Sequence, residues 1–152
     1  MKFLLEGNLS RLAKWLRFMG HDVKLLKKAI SIGELMENGD RVFLTTSRRW
    51  EKTLKNLGIK YVVVPRHDWE TQLWVVIKAL SLNPELKLNL CAYCGSELKP
   101  VSREMVRDKV PQKAYLSAYD FTMCPACGAV FWKGTHYERM VLMLKRVLTT
   151  LK

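Results

Sequence analysis

Two pairs of cysteines are the residues whose types and spacing most clearly predict chemistry. Cys91 and Cys94 form one CxxCG segment, Cys124 and Cys127 form a second, and residues 95–123 separate the pairs. Two residues between thiolates allow a single turn to present both sulfurs to one ion, and the following glycine permits that tight backbone. The two segments therefore predict a closed tetrahedral four-cysteine site of the structural zinc type, without an open position for a catalytic water.

Other interpretations of these cysteines are less well supported by their surroundings. A redox CxxC motif would begin a helix that follows a strand, and neither segment does. His136 lies nine residues after Cys127, but four thiolates already complete a site, so we expect it at the surface or at a phosphate. Metal binding would mainly supply folding free energy, roughly 10–16 kcal/mol in small zinc-folded peptides. Iron is the alternative to zinc as the bound metal.

The charge of the chain predicts a polyanionic partner. Lys and Arg number 26 against 14 Asp and Glu, for a net charge of +12. Residues 1–85 carry 15 basic and 9 acidic residues, and residues 86–152 carry 11 and 5, so each part is +6. Because the excess is not confined to a tail, the folded surfaces themselves should be positive. RNA or DNA fits best, since neutralising phosphates releases counterions. An inert basic surface is the alternative.

The pattern of apolar residues argues against a membrane location. The N-terminal sequence MKFLLEGN reaches a charged residue too early for a signal peptide. No run of about 18 apolar residues is available to cross a bilayer, and no helix pairs a broad apolar face with an unbroken basic one. We therefore expect a cytoplasmic protein without a membrane partner, in which the cysteines stay reduced and bind metal.

The elements that must position these residues begin with strand–helix repeats in the first half. Apolar runs predict strands at residues 3–5, 22–26, 41–45 and 59–64. Helices are expected after the caps Asn8 and Ser31, at residues 50–56, and after Asp68 or Thr71. Short linkers between alternating strands and helices indicate a parallel sheet with helices on both faces. The fold class is therefore α/β.

The second half has a different organisation. The alternation stops near residues 83–84, so we predict an α/β domain at 1–85 and a zinc-binding domain at 86–152. A strand is expected at residues 129–132, and a capping-box pattern at Thr135 opens a C-terminal helix. Met140 and Met143 on that helix are expected to pack against the first domain.

Two segments resemble a known family. Residues 8–20, NLSRLAKWLRFMG, are similar to the opening helix of a PIN-like ribonuclease family, and residues 124–137, CPACGAVFWKGTHY, to the zinc ribbon that closes it. Between them, RVFLTT at 41–46 and the segment from Glu70 to Leu73 follow in the family's order. The family is the domain first named from the C-terminal part of the animal mutator exonucleases. The resemblance implies a PIN-like α/β domain, a four-cysteine zinc ribbon, and RNA cleavage that uses Mg²⁺ or Mn²⁺.

The resemblance also implies which residues would form the acidic site, and this chain departs from the pattern. Glu6 stands where the family has an Asp after the first strand, and Glu34 matches only part of the acidic cluster of the second helix. Ser47 replaces the Asp of the Thr-Arg-Asp segment after the third strand, which Thr45 opens. Such sites depend on several converging carboxylates, and a hydroxyl does not replace their charge.

Two acids near the end of the fourth strand complete the candidate set. Asp68 and Glu70 would contribute to metal binding, although Asp68 could equally serve only as a helix cap. Glu6 likewise has a structural alternative, as an acid that interacts with the dipole of the first helix. The carboxylates expected in an active enzyme are thus reduced in number.

Two functions follow as hypotheses. One is a metal-dependent endoribonuclease in which Thr45 and Ser47 position the substrate beside the four acids. The other, which the missing carboxylates favour, is a family member that binds RNA or a ribonucleoprotein without efficient cleavage. The predicted contacts to nucleic acid are Arg11, Lys14, Arg17, Arg48, Arg49 and Lys133. A protein-interaction module that meets an acidic protein is a third class.

Overall fold

The first half of the chain forms a parallel sheet with helices on both faces. The computed structural model describes residues 1–150. The strands are β1 (Lys2–Leu5), β2 (Asp22–Leu25), β3 (Val42–Thr45) and β4 (Tyr61–Val63). The helices are α1 (Ser10–Phe18), α2 (Ile32–Glu37), α3 (Glu51–Leu57) and α4 (Trp69–Leu80). The strand order is β2-β1-β3-β4, with every pair parallel. This confirms the α/β prediction.

The alternation of side chains along the strands builds two hydrophobic layers. Phe3 and Leu5 of β1 face a core that α1 and α4 cover, whereas Leu4 faces a second core shared with α2 and α3. The side chains of β3 alternate in the same way: Val42 and Leu44 face the first core, and Phe43 faces the second core with Leu4. Because successive residues of a strand point to opposite faces, a short apolar run can fill both layers. This explains why all four residues of β3 are buried.

The predicted helix starts are confirmed at two positions and wrong at one. The Ser31 hydroxyl accepts a hydrogen bond from the Glu34 N–H at 3.2 Å, and Asp68 caps α4. Asn8, however, does not cap α1. The chain leaves β1 through a 3-10 turn over Gly7–Leu9, so the helix begins at Ser10.

The second half forms a small antiparallel sheet and two helices. Its strands β5 (Lys99–Pro100), β6 (Tyr119–Met123) and β7 (Val130–Lys133) pair in that order. Helix α5 (Gln112–Ser117) precedes β6, and helix α6 (Thr135–Thr150) follows β7. The sequence patterns did not predict β5, β6 or α5, because these elements are short and lack a clear apolar period.

The C-terminal helix packs on the first sheet's core. Met140, Leu144 and Val147 of α6 are buried in the cluster that α1 and α4 share, and Met143 packs against it. The expected packing of the two methionines against the first domain is therefore confirmed, while the boundary near residue 86 stays a prediction. Across residues 1–150, no helix is both long enough and apolar enough to span a bilayer.

Candidate metal centre and sheet-edge site

The two cysteine segments fold into nearly identical turns. In the first turn the Cys91 N–H donates to the Ser96 carbonyl at 2.8 Å, and the Gly95 N–H donates back to the Cys91 carbonyl at 2.9 Å. Cys124 and Gly128 repeat this pair of hydrogen bonds with the same lengths. Gly95 and Gly128 have φ angles of 80° and 78°, the left-handed region that favours glycine. The glycine after each CxxC is therefore required by the turn.

These turns bring all four sulfurs together. The Sγ atoms of Cys91 and Cys127 are 3.6 Å apart, those of Cys94 and Cys124 are 3.4 Å apart, and the four lie within 4.8 Å of one another. Zn–S bonds of about 2.3 Å in a tetrahedron place sulfurs about 3.8 Å apart. The donor set and its spacing therefore fit a four-coordinate structural metal.

The cluster has two distinct thiol environments. Burial is the main cause that raises the pKa of Cys91 to about 12, whereas hydrogen bonds with Ser96 are the main cause that lowers the pKa of Cys94 to about 6. Cys91 is completely buried and Cys94 is exposed. Because a metal ligand must be the thiolate, metal binding has to displace the proton of the buried thiol.

A second group of polar residues lies where β1 and β3 end, and we call Glu6, Thr45, Thr46 and Ser47 the sheet-edge site. Thr45 is completely buried, and its hydroxyl donates to one carboxylate oxygen of Glu6. The Thr46 hydroxyl lies 3.5 Å from the other oxygen. The structure thus brings the predicted residues Glu6 and Thr45 into contact at the carboxyl edge of the sheet, where α/β proteins bind their ligands.

Ser47 belongs to the same edge, but its hydroxyl serves the backbone. It accepts a hydrogen bond from the Arg49 N–H at 3.2 Å and so caps the 3-10 turn over Arg48–Trp50. The Ser47 N–H donates to the Thr45 hydroxyl oxygen at 3.0 Å. The residue at the expected Asp position therefore organises the turn.

The remaining predicted acids lie at helix starts. Glu34 is in the first turn of α2, and Glu70 is in the first turn of α4. Asp68 accepts from the Thr71 N–H at 2.8 Å and lies 3.0 Å from the His67 ring. Within residues 1–150, the four cysteines are the only group of three or more Cys, His, Asp or Glu whose ligand atoms converge.

The role of Asp68 as a helix cap gives a prediction for stability in acid. Hydrogen bonds with Thr71 are the main cause that lowers the pKa of Asp68. Its contribution to stability should therefore be complete above the ordinary carboxyl value of about 3.9 and be lost as the pH falls through the lowered pKa. We expect Asp68→Ala to lower the thermal midpoint at pH 7, measured by circular dichroism.

Asp68→Asn is the matched control, because asparagine also caps helices but does not titrate. Its thermal midpoint should be close to that of wild type at pH 7. Because asparagine does not titrate, the variant should not show the part of the acid-induced loss of stability that comes from protonation of Asp68. An alanine variant as stable as wild type at pH 7 would show that Asp68 does not stabilise α4.

Arg17 is among the predicted contacts to nucleic acid, which requires an exposed side chain, but the structure buries it. Its side chain is 7% exposed and donates to the carbonyls of Ala92, Tyr93 and Val23 at 3.1, 3.2 and 2.8 Å. The first cysteine turn and β2 both pack against this side of α1, and their carbonyls need donors. Burial lowers the pKa of Arg17, while the nearby Cys91 opposes that shift. Arg17 therefore joins the parallel sheet to the cysteine module.

The other predicted basic residues fall into two groups. Arg48 and Arg49 follow the sheet-edge site, where Arg48 pairs with Glu51 at 2.9 Å and Arg49 lies 5.3 Å from the Trp50 ring centre. Arg11, Lys14 and Lys133 instead line a cleft of about 860 Å³ between α1 and the second half of the chain.

The cleft also contains residues that the sequence patterns did not identify. Its walls include Tyr93, Lys87 and Tyr137, together with the side chain of His136, which was expected at the surface or at a phosphate. Tyr93 lies between the two cysteines of the first turn and is 65% exposed. In the sequence, the one local signal that could have indicated this surface was an aromatic residue, Tyr93, between the two cysteines of a predicted metal-binding turn.

The structure thus defines an α/β protein in which a parallel sheet flanked by helices is joined to a module of four cysteines positioned to bind a metal ion. Comparison with protein families then assigns the family. The chain belongs to the family described as the Mut7-C RNAse domain, whose model matches residues 1–144. No curated protein and no solved structure showed a match. Membership indicates a ribonuclease-like function related to nucleic acid.

Proposed function

We propose that this protein acts by binding RNA or a ribonucleoprotein through its basic surfaces, with little or no cleavage. The observation that carries the proposal is the composition of the sheet-edge site. Glu6 meets hydroxyls there, and within residues 1–150 it belongs to no group of three or more Cys, His, Asp or Glu side chains that could hold a metal ion. Hard cations such as Mg²⁺ and Mn²⁺ are held by several oxygen ligands with carboxylate charge. This edge offers hydroxyls and arginines instead.

The charge distribution supports the same proposal. The chain has a net charge of +12, and Arg49 is an exposed cation one turn beyond the sheet edge. Arginine donors form charge-assisted hydrogen bonds with phosphate oxygens. A phosphate could therefore be held where an active nuclease would hold its metal.

We infer that the four-cysteine site holds zinc and that its role is structural. All four ligands are protein sulfurs, and two of them are completely buried. A closed set of thiolates leaves no position for a substrate or a water molecule. The metal would stabilise the turns that carry Tyr93 and the start of β7.

Family membership favours a second candidate, an active endoribonuclease that depends on Mg²⁺ or Mn²⁺. Glu6 would then bind metal together with Glu34, Asp68 or Glu70. In the structure the Asp68 carboxylate already caps α4. Its use as a metal ligand would therefore compete with this cap.

Binding of labelled single-stranded RNA at increasing salt tests the proposal. We expect affinity that falls steeply with salt, by a slope of about 0.7 in log K for each phosphate contact. Arg49→Ala should reduce that slope by about 0.7, the value expected for the loss of one phosphate contact. Arg48→Ala is the matched control and should have a smaller effect, because Glu51 already pairs with Arg48.

Two outcomes would contradict this account. Wild-type protein without RNA affinity at moderate salt would favour a module that binds an acidic protein. An unchanged salt slope in the Arg49 variant would show that the sheet edge is not part of the RNA-binding surface.

A further inference from the structure

We propose that the cleft between α1, the first cysteine turn, the β6–β7 sheet and α6 binds unpaired RNA, with bases on its aromatic walls and phosphates on its lysines. The inference rests on the proposed RNA-binding function. It assigns that function to a site separate from the sheet edge, and to unpaired RNA rather than a duplex.

The charges along the cleft select an anionic ligand. Its charged lining comprises four cations, Arg11, Lys14, Lys87 and Lys133, and one acid, Asp120. Asp120 pairs with Lys133 at 3.2 Å, so the pair is neutral and the other three cations have no acid opposite them within the lining. A groove of this charge attracts a phosphate backbone.

Aromatic rings next to ammonium groups occur on both walls. On the wall of the first cysteine turn, the Lys14 ammonium lies 5.4 Å from the Tyr93 ring centre. On the wall of α6, the Lys133 ammonium lies 5.4 Å from the Tyr137 ring centre. Because Asp120 pairs with Lys133, this wall contributes chiefly the stacking ring, and the phosphates would be met by Lys14, Lys87 and Arg11. Phe131 of β7 is 5.9 Å from Tyr93 with a tilt of 30° and extends the first wall. A ring that stacks a base beside a cation that meets phosphate is the arrangement by which proteins hold single strands.

The chemistry of the walls favours unpaired nucleotides. Bases in a duplex are stacked on one another and do not offer their faces, and duplex RNA is recognised mostly through its backbone and shape. Tyr93 is 65% exposed, so its ring is accessible for stacking against the face of an unpaired base. A base stacked there would release the Lys14 ammonium to the neighbouring phosphate.

The cleft also leads toward the sheet edge. Ser10 and Arg11 line it, and they form the first turn of α1. This turn follows Glu6 through the 3-10 turn over Gly7–Leu9. A strand held in the cleft would therefore pass the start of α1 and approach Glu6 and the arginines beyond β3.

Equilibrium binding of fluorescent RNA, measured by anisotropy on the full chain, tests the inference. The probes are oligouridine, an abasic oligomer of the same length, and a duplex. We expect wild-type protein to prefer oligouridine over both other probes. Tyr93→Ala and Tyr137→Ala should each weaken oligouridine binding about 5-fold or more, as expected for loss of one stacking platform, and should reduce the preference over the abasic probe.

Three controls keep the test specific. Tyr93→Phe preserves the ring and should retain wild-type affinity. Tyr119→Ala removes a tyrosine that is 51% exposed on β6 and lies outside the cleft lining, and it should bind as wild type. Because Tyr93 lies between two metal ligands, metal content is measured for each variant, and Tyr137→Ala gives an independent reading from α6.

The possible outcomes distinguish failure of the cleft proposal from failure of the proposed RNA-binding function. If both alanine variants bind oligouridine as tightly as wild type while binding remains salt-dependent, the cleft inference is overturned and RNA binding stands. Equal affinity of wild type for oligouridine and the abasic probe would also overturn it. If wild type binds none of the probes, both the inference and the proposed function fail.

Discussion

Cys91→Ser is expected to abolish stoichiometric metal binding and to unfold the antiparallel sheet of the second half. Cys91 is completely buried and its sulfur lies 3.6 Å from that of Cys127, so the substitution removes one of the four converging ligand sulfurs. Metal binding in small zinc-folded modules supplies roughly 10–16 kcal/mol, far more than the small apolar clusters around the cysteines and β6 can replace. We expect a large loss of metal by elemental analysis and a loss of dispersed amide signals from β5–β7 in NMR spectra.

His136→Ala is the control for this experiment. His136 lies near the cysteine turns in sequence but is not part of the group of converging sulfurs. The variant should keep one metal per chain and the wild-type spectrum. A variant at Cys91 that retains full metal and fold, or loss of metal in the His136 variant, would contradict the assignment of the four cysteines as the metal ligands.

Arg17→Met is expected to lower the free energy of unfolding by about 3 kcal/mol or more. The substitution retains an apolar stem but leaves the carbonyls of Val23, Ala92 and Tyr93 without their donor. Each unsatisfied buried carbonyl costs about 1–3 kcal/mol. Denaturation by urea in the presence of zinc, followed by circular dichroism, measures the loss.

Arg139→Met is the matched control, because Arg139 is an exposed arginine on α6. We expect it to stay within about 0.5 kcal/mol of wild type. If Arg17→Met instead keeps wild-type stability and loses RNA affinity, then Arg17 contacts phosphate and its assignment as a link between the sheet and the cysteine module is wrong.

The elements that the sequence predicted well are those with local causes. The strands of the parallel sheet are apolar runs bounded by polar residues. Ser31 and Asp68 cap helices through bonds to residues three positions later. The spacing of the cysteines, with a glycine after each pair, was sufficient to predict the four-cysteine cluster.

The features that escaped prediction depend on contacts between distant parts of the chain. Arg17 follows the exposed residues Arg11 and Lys14 at a spacing of three on α1, and its burial depends on β2 and the first cysteine turn, which pack against it. The cleft combines α1 with β6, β7 and α6, so no local pattern contains it. The sheet-edge site was found only in part, because residue identity at Ser47 does not reveal that its hydroxyl is used by the Arg49 N–H.

The most direct test of the central proposal is incubation of labelled single-stranded and structured RNA with Mn²⁺ or with EDTA. Wild-type protein and Glu6→Gln are compared, and zinc content is checked after the reaction. We expect wild-type protein to bind the RNA in a salt-dependent manner and to leave it intact under both conditions. Cleavage that requires Mn²⁺ and disappears in Glu6→Gln would contradict the binding-only function and establish an active nuclease.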